Sequence, residues 1–175
     1  MCGIFGVWGD EEASHLTYLG LHGLQHRGQE SAGVVASDGE RLVTYKRMGK
    51  VADVFSQDAL AELSGTSAIG HVRYSTTCSS VVRNAQPFAV SFNGSSLAIA
   101  HNGNLTNAGE LRDRLEREGA LFHTTMDTEV IVHLLARSRA PRLNDRIREV
   151  MVILEGAYSL AILTPDQMIV VRDPH

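Results

Sequence analysis

The chain has 175 residues, 43% of them hydrophobic, which is enough to bury the core of one sizeable domain. Its 16 basic and 20 acidic residues nearly balance, and no stretch concentrates Lys and Arg as nucleic-acid or anionic-membrane surfaces do. Its two cysteines are too few for a disulfide scaffold or a thiolate metal site, and neither a signal peptide nor a membrane-spanning apolar run is present. We expect small-molecule chemistry in a soluble, reducing, cytoplasmic setting.

The first half of the chain predicts mainly strands. Gly3–Trp8 has the composition of a buried strand. Apolar residues then recur at helical spacing, namely Ala13, Leu16, Leu19 and Leu24. Strands are predicted at 31–37 and 42–48, and Asp38-Gly39 between them is typical of a hairpin turn. A further strand is predicted at 67–74.

The second half predicts strands, then helices, then strands again. Two strands, 88–92 and 97–101, flank the hairpin sequence Asn93-Gly94. A helix is predicted from Asn107, with a capping-box pattern, to Gly119. Two more helices have apolar faces formed by Val130, Ile131, Leu134 and Leu135 and by Leu143, Ile147, Val150, Met151 and Leu154. Two strands, 157–163 and 168–172, close the chain. This order favours α+β layers over a repeating βαβ fold.

Cys2 would become the amino terminus if Met1 were removed. One residue would then carry both a thiol and a free α-amine, whose pKa of about 7.7–8.0 suits it to move the proton of a thiol with a pKa of about 8.5. With Met1 retained, that nitrogen is a non-basic amide. The alternative interpretation is that Cys2 merely begins a buried strand.

Four polar segments elsewhere have both a structural and a functional interpretation. Residues 25–31 are dense in hydrogen-bonding side chains, which is typical either of a solvated helix end or of a site loop. Arg73 ends a predicted strand and suits either a salt bridge or a bidentate grip on a carboxylate. The Asn102 amide and the Gly103 N–H lie in either a turn or an oxyanion hole. Asp127 opens a predicted helix and could serve only the helix dipole.

Metal binding is not indicated. The eight histidines show no spacing typical of metal ligands, so we predict no metal site.

Taken together, the segments resemble the glutaminase domain of the amidophosphoribosyltransferase family, class II glutamine amidotransferases with an N-terminal nucleophile. The matching motifs follow the family order over essentially the whole chain. They are Cys2-Gly3-Ile4, residues 24–33, Gly70-His71-Val72-Arg73-Tyr74-Ser75-Thr76, Ala100-His101-Asn102-Gly103-Asn104-Leu105, Asp127-Thr128-Glu129 and Val171-Arg172-Asp173-Pro174. Each motif alone is weak, but all of them in order are specific.

The resemblance implies a fold and a set of catalytic roles. The fold would be a four-layer αββα sandwich of the N-terminal nucleophile hydrolase type. Cys2 would attack the carboxamide of glutamine, its α-amine would pass the proton to the departing ammonia, and Asn102 with the Gly103 N–H would hold the oxyanion. Arg73 would bind the α-carboxylate of glutamine, and Asp127 its α-ammonium.

The resemblance also implies further residues of the glutamine site. These are Arg27, Gly28, Tyr74 and Thr76. Cys78 departs from the family pattern, because glycine usually stands there, and a cysteine costs about 1 kcal/mol if that position needs positive φ.

The expected biological role is ammonia supply for phosphoribosylamine synthesis, the first committed step of purine synthesis. Residues 1–175 would be a glutaminase domain cut before a phosphoribosyltransferase domain, which would act in cis or in trans. Magnesium with phosphoribosylpyrophosphate is expected only in that second domain, and this chain is expected to need no cofactor. Its partners would be L-glutamine, the transferase domain and, in a homo-oligomer, further copies of itself. Two alternatives stay open: a catalytically idle regulatory or interaction module, and the same domain serving another acceptor such as a sugar phosphate.

Overall fold

A computed structural model describes residues 2–74, 81–92 and 94–174. The strands are β1 (Gly3–Trp8), β2 (Ser31–Ser37), β3 (Leu42–Met48), β4 (Ser67–Arg73), β5 (Phe88–Phe92), β6 (Ser95–Leu105), β7 (Gly156–Leu163) and β8 (Met168–Arg172). The helices are α1 (Ala13–Gly23), α2 (Val51–Val54), α3 (Gln57–Glu62), α4 (Ala108–Arg117), α5 (Asp127–Arg137) and α6 (Leu143–Ile153). None of the helices within these ranges has the length and apolar character that crossing a membrane requires.

The strands form two antiparallel sheets that pack face to face. The first sheet has the order β1-β4-β2-β3 and the second the order β5-β6-β7-β8. Small and branched side chains fill the space between the sheets: Val35, Ile69, Ala98, Ala100, Ala161 and Leu163. Helix α1 covers the outer face of the first sheet, and α4, α5 and α6 cover that of the second. The predicted four-layer αββα sandwich is therefore confirmed.

The apolar face predicted for the first helix is correct at Ala13 and Leu24, which pack in the core, but wrong at Leu16 and Leu19. Leu16 and Leu19 are 37% and 50% exposed, while Thr17 and Leu21 face the sheet and are fully buried. The cause is the short distance between α1 and β4, where a Cβ on Gly70 would lie only 2.6 Å from the Thr17 methyl carbon. Close approach to the sheet, rather than side-chain size, selects the buried face.

Other elements differ from prediction mainly at their ends. Strand β6 continues to Leu105, so the segment that could have been a turn is extended strand. Asn107 does precede a helix, but its side chain makes no cap and bonds instead to the carbonyl of Ile153 and the N–H of Glu155. The short helices α2 and α3 were not predicted.

Candidate active site

Cys2 lies at the start of β1, beside the end of β4. The antiparallel register pairs Gly3 with Val72, which places Cys2 against the last residues of β4. The Cys2 Sγ lies 3.8 Å from the carbonyl oxygen of Tyr74, and the thiol is free and half-buried. The Cys2 carbonyl in turn accepts a hydrogen bond of 2.9 Å from Arg27 Nε. Two of the predicted site residues, Arg27 and Tyr74, thus contact the proposed nucleophile.

A cleft of about 550 Å³ opens beside Cys2. Tyr74, Asn102 and Gly103 share its wall with Cys2, so the structure brings together the predicted nucleophile and the predicted oxyanion donors. The remaining lining residues come mainly from the facing strands: Asn104, Ala157, Tyr158, Ser159, Arg172 and Asp173.

Part of this lining was missed from the sequence. Asp173 fastens the end of β8 to β7, because its Oδ2 accepts from the Tyr158 N–H at 2.7 Å and its own N–H donates to the Tyr158 carbonyl at 3.0 Å. The motif Arg172-Asp173-Pro174 supported the family resemblance but carried no role. Its position directly after a strand was the sequence signal for a cleft residue.

Gly103 occupies a position that only glycine fits. Its φ is +151°, a conformation that L side chains rarely adopt. A Cβ there would also lie 2.2 Å from the carbonyl oxygen of Ala157 on the neighbouring strand. The backbone of β6 can therefore approach β7 and reach the cleft at this residue.

The segment 25–30 is fastened beside the end of β4. Gln25 bridges it, since its side-chain amide donates to the Gly28 carbonyl and accepts from the Val51 N–H at 2.7 Å. Gly28 is buried, and a Cβ there would lie 2.6 Å from the carbonyl carbon of Arg73. This close packing explains the glycine and the glutamine of the segment, and it holds Arg27 at Cys2.

Arg73 forms a salt bridge, one of its two interpretations from the sequence, and Asp127 makes a backbone contact that the sequence did not predict. Arg73 is 5% exposed, and its Nη1 lies 2.8 Å from Glu30 Oε1. Asp127 opens α5 as predicted, and its Oδ2 accepts from the Leu105 N–H at 3.2 Å. Neither is among the described residues that line the cleft. Their roles at the two ends of glutamine stay predictions.

Two residues singled out from the sequence, Thr76 and Cys78, lie outside the described residues. Over 2–74, 81–92 and 94–174, no group of three or more His, Cys, Asp or Glu side chains could hold a metal ion.

Two buried histidines lie behind the cleft. Burial lowers the pKa of His71 to about 3, against the opposing effect of its hydrogen bond to the His101 carbonyl. Burial lowers the pKa of His101 to about 4, against the opposing charge of Asp127. Both imidazoles are therefore neutral in the folded protein at physiological pH.

These pKa shifts predict a loss of stability in acid. Unfolded histidines titrate near 6.5, so below that pH the unfolded state binds more protons, and the free energy of unfolding falls as pH falls towards 4. One histidine contributes at most about 1.4 kcal/mol per pH unit to this slope. We expect His71→Gln to remove the contribution of one proton, up to about 1.4 kcal/mol per pH unit, from this slope. Urea unfolding between pH 7 and 4.5 measures the slope. His15→Gln, which removes an exposed imidazole, is the matched control, and an unchanged slope in His71→Gln would contradict the prediction.

Comparison with known proteins finds relatives of this chain over nearly all of its length. A family model described as a glutamine amidotransferase domain matches residues 71–175. The chain is 50% identical to amidophosphoribosyltransferase of Bacillus subtilis, over 99% of the chain and 37% of that protein. It is 49% identical to the chloroplastic amidophosphoribosyltransferase 2 of Arabidopsis thaliana, over 99% of the chain and 31% of that protein. The chain thus spans about a third of these relatives.

Solved structures give the same result for the fold. Glutamine phosphoribosylpyrophosphate amidotransferase from B. subtilis, solved with ADP and GMP, superposes with a TM-score of 0.93 at 48% identity, covering 99% of this chain and 37% of that one. A protein from Pseudomonas aeruginosa described as a predicted glutamine amidotransferase superposes with a TM-score of 0.53 at 15% identity, over 82% of this chain and 60% of that one. At that identity the second likeness concerns the fold alone.

Proposed function

Because the chain belongs to the family of glutamine amidotransferase domains, we propose that it hydrolyses L-glutamine to glutamate and ammonia with Cys2 as the nucleophile. The observation that carries the proposal is the convergence of Cys2, Asn102 and Gly103 on one cleft. A thiol facing two amide-type donors is an arrangement suited to acyl transfer from a carboxamide.

Before the first turnover, hydrolytic removal of Met1 frees the α-amine of Cys2. This amine takes the thiol proton as Sγ attacks the carboxamide carbon, and the Asn102 side-chain amide and the Gly103 N–H donate to the developing oxyanion. Collapse of the tetrahedral intermediate transfers the proton to the leaving ammonia and leaves a γ-glutamyl thioester on Cys2. Water then hydrolyses the thioester to glutamate. Cys2, Asn102 and Gly103 supply all the protein groups that these steps use, so the proposed hydrolysis needs no cofactor.

The names of the relatives support a proposal for the acceptor of the ammonia. The two relatives described above are named amidophosphoribosyltransferases, and this chain spans about a third of each. We therefore propose that the ammonia passes to a phosphoribosyltransferase domain, in cis or in trans, for the first committed step of purine synthesis. Magnesium with phosphoribosylpyrophosphate would belong to that domain. We place this reaction in the cytoplasm, where a reducing environment keeps Cys2 a thiol.

The direct test is ammonia release from glutamine by protein whose amino terminus has been determined by intact mass. Active protein that begins at Cys2 supports the mechanism. Active protein that fully retains Met1 would exclude the α-amine as the base, and mature protein that releases no ammonia under any condition, including with a transferase partner, would overturn the proposed function.

The substrate clamp is tested by changes at its two ends. Arg73→Lys keeps the charge but loses the planar fork, and Asp127→Asn removes the charge that would pair with the ammonium. Charge-assisted hydrogen bonds contribute about 1.5–3 kcal/mol, so we expect the KM for glutamine to rise by about 10-fold or more in each variant. Steady-state kinetics with a melting curve for each variant measures this.

The matched control is Arg47→Lys, at an exposed arginine of β3 that bonds to a neighbouring carbonyl. An unchanged KM in both test variants would leave Arg73 as the ion-pair partner of Glu30 and Asp127 as an anchor for Leu105.

A further inference from the structure

We propose that His71 and Gln86 are positioning residues that hold the oxyanion-hole strand at a fixed distance from the nucleophile. The inference rests on the proposed function, because the oxyanion hole matters only if Cys2 attacks a carboxamide. It assigns a role to two buried polar side chains that touch neither the thiol nor the substrate cleft.

The first observation is that β6 extends beyond its neighbour on one side. The pairing of β5 with β6 ends at Phe88 and Ile99, whereas β6 continues along β7 to Leu105. Beyond Ile99, where Asn102 and Gly103 lie, one edge of β6 therefore pairs with no strand in the part of the chain that the structure describes. Unpaired backbone groups at a buried position are costly, so side chains must replace the missing strand.

The side chains of Gln86 and His71 take the place of the missing strand at His101. The Oε1 of Gln86 accepts from the His101 N–H at 2.7 Å, and the Nε2 of His71 donates to the His101 carbonyl oxygen at 3.1 Å. The backbone N–H and the backbone carbonyl of His101, the residue directly before Asn102, are thus both bonded to side chains. Because peptide groups alternate along an antiparallel strand, Gly103 directs its N–H to the same open edge as His101.

His71 connects the two sheets. It lies on β4 opposite Ile4 of β1, two residues after Cys2, and it reaches across the sandwich to β6. The nucleophile and the oxyanion donors belong to different sheets, so the spacing between them depends on contacts of this kind. The carbonyl can only accept, which places the proton on Nε2. The His71 Nδ1 has no hydrogen-bond partner among the described residues.

Gln86 is itself held in place. The Lys46 Nζ donates to the carbonyls on both sides of it, at 2.6 Å to Ala85 and 3.2 Å to Pro87. A Cβ on Gly33 would lie 2.3 Å from the Gln86 carbonyl oxygen, so β2 packs directly against this segment. Gln86 is 7% exposed and His71 is fully buried. Both side chains are therefore closely packed.

The kinetic consequence is specific. Contacts to an oxyanion form in the transition state and not with bound glutamine, so misplacing their donors lowers kcat and leaves KM unchanged. A displacement of about 1 Å in a reacting group lowers a rate by about 100-fold. Loss of either side-chain contact is therefore expected to lower kcat by about 10- to 100-fold, with KM within about twofold of wild type.

The experiment compares two pairs of variants in the mature protein. His71→Leu and Gln86→Met remove the donor and the acceptor, whereas His71→Gln and Gln86→Glu keep a donor N–H and an acceptor oxygen at a similar reach. We expect the first pair to lose kcat and the second pair to recover most of it. Alkylation of Cys2 by iodoacetamide, which needs no oxyanion hole, should proceed at the wild-type rate in all four variants.

Each other outcome is decisive. Wild-type kcat in Gln86→Met, or a loss of alkylation rate as large as the loss of kcat, would overturn the positioning role and leave the proposed function intact. If His71→Leu does not fold, the Gln86 pair carries the test alone. If wild-type protein has no glutaminase activity, the proposed function fails, and amide exchange at His101 still tests the contact: unchanged protection in Gln86→Met would overturn it.

Discussion

Replacement of Cys2 by serine is expected to abolish glutamine hydrolysis, with a loss in kcat of at least about 10³-fold. A hydroxyl is far less acidic than a thiol and is a weaker nucleophile, so we expect the α-amine to activate serine far less effectively at a site that holds a cysteine. The proposed oxyanion donors would remain, but they would assist the attack of a much weaker nucleophile. Ammonia release under saturating glutamine measures the loss.

The fold should tolerate this replacement. Cys2 is half-buried, and its Sγ lies 3.8 Å from the Tyr74 carbonyl oxygen, a contact that a hydroxyl can replace. We expect the melting temperature of Cys2→Ser to lie close to that of the wild type. The electrophile 6-diazo-5-oxonorleucine should label Cys2 and not Cys78, as peptide mapping would show. Turnover close to wild type in Cys2→Ser would return Cys2 to the role of a strand residue.

The sequence suggested a candidate nucleophile and candidate oxyanion donors because their chemistry is local. Cys2 needs only its place in the chain, and Asn102 with Gly103 needs only a short polar segment after an apolar strand. The structure adds what brings them together: β1 pairs with β4, and β6 runs past β5 to the same end of the sandwich. The αββα layers were implied by the family resemblance, whereas periodicity alone favoured only α+β layers.

The contacts that fix Arg73 and His101 could not be predicted from the sequence because they are long-range. Glu30 is 43 residues from Arg73, and His71 is 30 residues from His101. No spacing rule links such positions, because the sheets that bring them together are set by the whole core. The same limit explains the exposure of Leu16 and Leu19 on α1, because a glycine on β4 lets the helix pack closely through Thr17 and Leu21.

Truncation of Asn102 to alanine is expected to have the second-largest effect. Removal of one oxyanion donor raises the barrier by about 2.7–4 kcal/mol, which corresponds to a loss of about 10²- to 10³-fold in kcat. The expected KM is unchanged, since the donor acts on charge that develops after binding. Steady-state kinetics with glutamine measures both parameters.

The comparison with Asn104→Ala separates the oxyanion role from a general effect of the cleft wall. Asn104 lines the same cleft two residues further along β6, and it is exposed. Because side chains alternate along a strand, Asn102 and Asn104 point to the same face, so both variants remove the same amide from the same wall. Only Asn102 adjoins the peptide that His71 and Gln86 hold. A loss in Asn104→Ala equal to that in Asn102→Ala would mean that the wall acts through its polarity alone, and the fixed geometry at His101 would have no catalytic consequence.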